Sequence, residues 1–435
     1  MQPQHCLDQP IENRMARILF VGQGGYGDLF PLFGIATALR KAGHSVSLAA
    51  ERHHADACRM LGMELQVIEP LPQMRSSPRT AKAWREHLNA TLSPDGLGTA
   101  VKRLLPWAQA ADLIVGNQLA YSGAIVRDML DKPWVFCAAS PLSIPSRYDP
   151  PLWPYLHRLQ SFTGKLGFPD AAYIALMRQA TRALMAPQRR LRRRLGVDHG
   201  AHPRFEALYS RQLNLLTVSP LLIEPQSDWP SHTQLTGFCW FEPSFLGDPR
   251  AIDDLEKFAR DGTPPIVVAP GGARRSDPRD FLERGLAACR RIGRRAILVA
   301  APRFHISLPQ GPDFKVSGYL PYGRLFRFAE AVIHSGGIGT LGWALRQGLP
   351  SLVLPEDWDQ YDNARRAERR DYATVIPSRA SAATIARELD RAIRDGPHKA
   401  RLRDAAMHIQ HEDGAASAVN AIDAMIAATH SPRAR

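Results

Sequence analysis

Short apolar runs ending in glycine or polar residues alternate with stretches of helical spacing along most of the chain. The first run, 17–22 (RILFVG), has the length and continuity of a strand buried on both faces of a parallel sheet. Positions 29–42 carry helical spacing and stop at Gly43, which can adopt the left-handed conformation that ends helices. Further strands are expected at 44–50, 65–68, 113–115, 134–137 and 214–218. A second series starts near Pro265, with strands at 266–269, 296–300, 331–334, 351–354 and 373–376. Strands separated by helices imply right-handed βαβ units. The expected fold class is therefore α/β, two doubly wound parallel-sheet (Rossmann-like) domains with a ligand cleft between facing strand ends.

The same pattern sets the expected boundaries. Residues 1–16 are a disordered extension, 17–238 a first domain and 264–412 a second. Residues 239–263, with Pro243, Gly247, Pro249 and Gly262 and few periodic apolar positions, are expected to be the linker. Residues 413–435 hold a last helical pattern at 415–428, expected to cross back to the first domain, and a tail. From 140 to 168 the alternation breaks into proline and aromatic residues. That stretch is either a loop excursion shaping a substrate pocket or an insertion packing on its own domain.

Composition narrows the classes. At 435 residues and 45% apolar content, the chain can bury two full cores. Cys6, Cys58, Cys137, Cys239 and Cys289 are scattered without a C-x-x-C pair, which argues against a disulfide scaffold or a cysteine zinc site. The longest apolar candidate, 111–126, is interrupted by Asp112, Asn117 and Gln118, so no membrane span is expected. The polar N-terminus lacks a signal core, with Met15 as a second candidate start, and the expected setting is the cytoplasm. The net charge of +13 comes with 47 Arg against 8 Lys, densest at 189–194. Signatures of nucleic-acid binding are missing, which leaves a solvated helix face, an anionic substrate or peripheral contact with an anionic inner membrane. No obligate protein partner is indicated.

Two glycine-rich turns carry the chemistry. The first, Gly22-Gln23-Gly24-Gly25-Tyr26-Gly27-Asp28, contains G-x-G-x-x-G between a strand and a helix, with Glu51 at the end of the next strand. That is the fingerprint of a dinucleotide site, and hence of an NAD- or FAD-dependent oxidoreductase. Asp28 opposes it, because a carboxylate at a helix start repels a pyrophosphate. Asp28 suits instead a helix cap or a catalytic base facing the cleft. The second turn, His334-Ser335-Gly336-Gly337-Ile338-Gly339-Thr340, again ends a strand and opens a helix. Its free amides and helix N-terminus suit a phosphate, with His334 as donor and Thr340 offering a hydroxyl, and it lacks the lysine of a Walker loop. Further on, Asp357-Trp358-Asp359 has a D-x-D form that some enzymes use for a metal. Gln360 and Asn363 follow it, and a carboxylate beside an amide suits the hydroxyls of one sugar ring.

Together, H-S-G-G-I-G-T, A-L-R-Q-G-L-P and L-P-x-x-x-D-Q-x-x-N-A resemble the donor-binding signature of family 1 glycosyltransferases. G-D-L-F-P at 27–31, D-W-P at 228–230 and L-T-G-F at 235–238 resemble their bacterial branch, in particular rhamnolipid rhamnosyltransferases and sterol-type and macrolide-type enzymes. The likeness spans about 17–394, dense at 331–364 and thin from 70 to 210. It implies a GT-B fold, inversion at the anomeric carbon, no cofactor beyond the nucleotide-sugar co-substrate, and no metal. Asp28 would be the catalytic base. His334, Gly336, Gly337, Gly339 and Thr340 would hold the diphosphate, and Asp359 with Gln360 the sugar. Asn363 would lie on the donor side, and Tyr319, Leu320 and Trp343 at the nucleobase and ribose. Two departures stand out. Trp343 occupies the place of a ribose-binding Glu, which points to a dTDP-sugar such as dTDP-rhamnose rather than a UDP-sugar. The hydroxyl contact of a T-x-G-S motif is missing near 269–275, where Arg274 or Arg275 would pair with phosphate instead. The aromatic segment at 141–168 suggests an apolar or lipid-like acceptor. A nucleotide-sugar epimerase of similar fold is a further alternative.

Overall fold

The computed structural model describes residues 15–68, 94–153, 170–242, 249–271, 278–300 and 311–430. Seven strands form the first sheet: β1 (Arg17–Val21), β2 (Ser45–Ala50), β3 (Glu64–Val67), β4 (Leu113–Asn117), β5 (Trp134–Ala138), β6 (Leu213–Leu216) and β7 (Thr233–Leu235). Their order is β3-β2-β1-β4-β5-β6-β7, parallel throughout. Six strands form the second: β8 (Ile266–Ala269), β9 (Ala296–Val299), β10 (Phe314–Ser317), β11 (Ala331–His334), β12 (Ser351–Val353) and β13 (Thr374–Val375). Its order, β10-β9-β8-β11-β12-β13, repeats the winding of the first sheet. Each sheet reverses its winding once, between β1 and β4 and between β8 and β11. At such a reversal adjacent loops splay apart and leave a crevice at the carboxyl ends of the strands.

The central strands are buried along their whole length, as the continuous apolar runs require. Two apolar layers sandwich each sheet. On one side of the first, Leu29, Phe33 and Leu39 of the helix Tyr26–Lys41 pack with Ala418, Ile422 and Ile426 of the last helix, Gly414–His430. That last helix therefore crosses from the second domain onto the first. It is pinned there by His44, whose Nε2–H donates to Asp423 at 2.9 Å while Nδ1 accepts from the Ala16 N–H.

The stretch expected as a linker departs from expectation in one part. Pro249–Arg260 is a helix, and Ile252, Leu255 and Ala259 on one face are buried in the second domain. With Ala251 and Phe258 beside them, these residues make an apolar stripe at helical spacing that joins the core over β8, β9 and β11. Residues 239–242 are extended and packed between the domains, with Trp240 against Trp343 at 4.5 Å between ring centroids.

Candidate functional site

Both glycine turns stand at the winding reversals, one after β1 and the other after β11. In the first turn, Gly24 has φ +111°, and a Cβ there would lie 2.5 Å from Asp28 Oδ2. Glycine is needed because the Asp28 carboxylate folds back over the turn. Asp28 is the third residue of its helix, and Oδ2 accepts from the Gly25 N–H at 3.0 Å. The cap reading of Asp28 is thus met, and the second oxygen accepts from the Gln118 amide at 3.1 Å. The side chain is half-buried at the cleft.

Three features separate this turn from a dinucleotide site. A Cβ placed at Gly27 would meet nothing within 4 Å, so the third glycine serves no close helix–strand packing. Glu51 is buried and its carboxylate meets His53 Nδ1 at 3.3 Å, turned away from a ribose role. The negative charge of Asp28 stands where the pyrophosphate would have to sit. Behind the turn, His54 Nε2–H donates to the Gly24 carbonyl at 3.1 Å. Burial pulls the His54 pKa down to about 4, so the ring is neutral.

In the second turn, Gly336 takes φ +92° and packs against Val353 and the Gln360 backbone. The Gly336 N–H donates to His334 Nδ1 at 3.1 Å, which places the ring proton on Nε2. Nε2 is buried and has no hydrogen-bond partner among the described residues. Desolvation lowers the His334 pKa to about 3. The histidine is therefore a neutral N–H donor waiting for an acceptor, at the mouth of a helix, Ile338–Arg346, without an acid in its first turn. Gly337 and Gly339 are open, and the Thr340 hydroxyl is hydrogen-bonded to Tyr322.

The residues expected at the sugar join this turn directly. Asn363 Nδ2 donates to the Gly336 carbonyl at 3.1 Å and to Asp359 Oδ2 at 2.9 Å. Desolvation raises the Asp359 pKa, against donors from Asn363 and from Ser140 of the first domain. Gln360 is buried, and its Oε1 accepts from the Glu356 and Asp357 amides at 2.9 and 3.0 Å. Between them Trp358 has φ +50°, a conformation that costs free energy and is concentrated at ligand sites. Asp357 Oδ1 accepts from the Trp358 N–H at 2.9 Å.

The remaining expectations divide. Tyr319 stands at the cleft, 6.2 Å from Phe30 of the first domain between ring centroids. Leu320 is buried in the core of the second domain with Ile252 and Leu325, so only its backbone can meet a base. The Trp343 ring lies against Trp240, and Arg346 stacks over both. Arg274 and Arg275, the 154–169 part of the acceptor segment and 243–248 of the linker lie outside the described residues.

Several residues with evident parts here are not singled out by sequence reasoning. Asp149 pairs with Arg366, which also binds Asp362 at 2.8 Å. Asp362 accepts from the Leu152 N–H at 2.9 Å, and Arg365 donates to the Pro150 carbonyl at 2.6 Å. These bonds strap the first domain to the helix Gln360–Arg369 that begins at the sugar pair. Asn117 and Gln118 do leave a signal, a polar couplet ending an otherwise apolar strand.

Known proteins align with this picture. Residues 300–424 match the family model of the erythromycin biosynthesis protein CIII-like C-terminal domain. A sterol 3-beta-glucosyltransferase of Candida albicans is 23% identical over 432 residues, 92% of this chain but only 27% of that protein's length. An O-mycaminosyltylonolide 6-deoxyallosyltransferase of Streptomyces fradiae is 26% identical, covering 78% of this chain and 80% of its own. Among solved structures, the calicheamicin glycosyltransferase CalG4 superposes with a TM-score of 0.71 at 16% identity, over 96% of this chain and 100% of that one. The spinosyn rhamnosyltransferase SpnG complexed with thymidine diphosphate gives 0.66 at 18%, over 94% and 100%. These two likenesses carry the fold. That fold is GT-B, two facing parallel-sheet domains, and the sequence relatives named here are glycosyltransferases to which this chain is similar.

Proposed function

We propose that the protein transfers a hexose, with inversion and without a metal, from a nucleoside-diphosphate sugar to a hydroxyl of an apolar or lipid-like acceptor. The observation that carries this reading is the division of labour between the turns. One holds a carboxylate at the cleft, and the other holds a buried, unpartnered N–H beside a helix N-terminus. Asp28 takes the acceptor proton as the hydroxyl oxygen attacks the anomeric carbon. The bond to the leaving diphosphate breaks on the opposite face, and its charge is met by His334 Nε2–H and the amides of 337–340, the Gly336 N–H being held by His334 Nδ1. Asp359 and Gln360 hold the sugar hydroxyls. Domain closure excludes water, which otherwise hydrolyses the donor.

A dTDP donor is favoured because Trp343 offers no carboxylate to a ribose 2′-hydroxyl. The relative SpnG, solved with thymidine diphosphate, supports the same choice. Thermal melts with dTDP, UDP and NADH test it. The expected result is a larger shift with dTDP than with UDP and none with NADH. A larger shift with UDP overturns the nucleotide assignment, and stabilisation by NADH alone overturns the donor site. With dTDP-rhamnose and no acceptor, product analysis excludes an epimerase if the sugar is recovered unchanged in configuration.

A further inference from the structure

The end of β4 reaches the first glycine turn with two adjacent amide side chains. Asn117 grips the Gln23 peptide from both sides: Oδ1 accepts its N–H at 3.4 Å, and Nδ2 donates to its carbonyl at 2.8 Å. Gln118 does a different job. Its Nε2 donates to Asp28 Oδ1 at 3.1 Å, and its Oε1 accepts from the Ala139 N–H at 3.3 Å. The second bond fixes the orientation of the first. Were the amide flipped, its NH₂ would face a backbone N–H and its oxygen would face a carboxylate, and both bonds would be lost. Gln118 is only 8% exposed, so little water is at hand to compensate. Its anchor, Ala139, follows β5, next to Ser140 at the sugar-side residues.

We infer that Gln118 is the positioning residue of the catalytic base. It presents one N–H to Asp28 Oδ1 while Gly25 presents another to Oδ2, so the carboxylate is held in a single rotation toward the acceptor hydroxyl. The inference rests on the reading of Asp28 as the base. A buried amide that merely stabilised the fold would lower the melting temperature, and would lower apparent kcat only in proportion to the protein lost from the folded state. A positioning amide affects kcat and leaves donor binding alone.

The experiment compares the full-length protein with Gln118→Met, Gln118→Glu and Asp28→Asn, using dTDP-rhamnose and 1-decanol as the probe pair and following dTDP release. Gln118→Met keeps the side-chain volume and removes both polar ends. Its kcat is expected to fall about 10- to 100-fold, in line with losing one hydrogen bond to a charged group. The donor KM should stay within about twofold and the melting temperature within a few degrees. Gln118→Glu sets a carboxyl against Asp28. It should be poorer than Gln118→Met at pH 8 and regain activity toward pH 6, where one proton shared between the two acids restores a donor. Among the described residues, the titratable groups around the turn include His54, neutral by burial, the Glu51–His53 pair, and Tyr26, whose phenol pKa desolvation raises. Because they are common to every variant, the change is read as the ratio to wild type at each pH. If Gln118→Met keeps wild-type kcat while Asp28→Asn is inactive, the positioning role is wrong and the base assignment stands. If Gln118→Met loses activity only in proportion to lost folded protein, the residue is structural and the positioning role falls. If Asp28→Asn is fully active, both readings fall.

Discussion

The two glycine turns have the same ingredients and opposite uses. Each follows a strand at a winding reversal, opens a helix, needs glycine at one positive-φ position and leans on a buried neutral histidine. In the first, the His54 N–H is consumed by the turn's own carbonyl, and a carboxylate folds over the glycines. In the second, the histidine's outer N–H has no partner among the described residues, and the helix that follows starts without an acid. The first turn carries a carboxylate folded over its glycines, and the second carries a buried N–H donor beside a helix start that has no acid. A G-x-G-x-x-G string by itself does not decide between these outcomes; the residue one place beyond the last glycine does.

Four changes probe that contrast, in order of decreasing effect. Asp28→Asn removes the base from the first turn, and kcat should drop about 10²- to 10⁴-fold while the nucleotide affinity is unchanged in a titration with dTDP. A parallel loss of dTDP affinity would mean that the first turn also holds the donor. Arg366→Met breaks the strap between the first domain and the helix beginning at the sugar pair, and leaves Asp149 and Asp362 short of a buried partner. A loss of about 3–5 kcal/mol in stability is expected by denaturant titration. An unchanged midpoint would show that the second turn's unit does not depend on the first domain. His334→Ala takes the free donor from the second turn and should weaken dTDP binding about 10- to 100-fold, with the melting temperature of the free protein little changed. Equal dTDP affinity in the variant would remove His334 from the diphosphate site.

The weakest effect is in the pH dependence of folding. Both histidines have pKa values lowered by burial, to about 4 for His54 and about 3 for His334, against an ordinary histidine value of 6.5. Below that value the unfolded chain binds protons that the fold refuses. Stability should therefore decline as pH falls from about 6.5 toward 4, and change little from this source above 7. His54→Asn should flatten part of the decline in urea midpoints measured across that range. A decline of the same slope in the variant would assign it to other groups.

Much of the architecture is legible because central parallel strands must be apolar on both faces, so 17–22, 113–115, 266–269 and 331–334 stand out as runs. Two strands leave no such mark. β7 (TQL) and β10 (FKVS) lie at sheet edges, where one face is wet and no run survives. The helix Pro249–Arg260 is hidden for a different reason, its apolar positions being separated by Asp253, Asp254, Glu256 and Lys257 and flanked by Pro249 and Gly262. In the site, turn residues are readable because glycine and helix-start chemistry is local. The strap among Asp149, Asp362 and Arg366 is not, since it joins residues more than 200 positions apart through ion pairs that leave no periodic trace. The inward turn of the Leu320 side chain is not legible either, since a single apolar residue in a loop carries no periodicity. The packing of Trp343 against Trp240 is equally beyond the sequence, because the contact is made by the segment that joins the two domains.

The proposed division of labour requires the second turn to bind the nucleotide and the first to leave it alone. The melting shift produced by saturating dTDP in the wild type, Asp28→Asn and His334→Ala decides this. A ligand at 100 times its dissociation constant adds about 2.7 kcal/mol to the folded state, a shift that is easily read. A full shift is expected in Asp28→Asn and a much smaller one in His334→Ala at the same dTDP concentration. A shift that survives in His334→Ala and disappears in Asp28→Asn would reverse the assignment and place the nucleotide on the first turn.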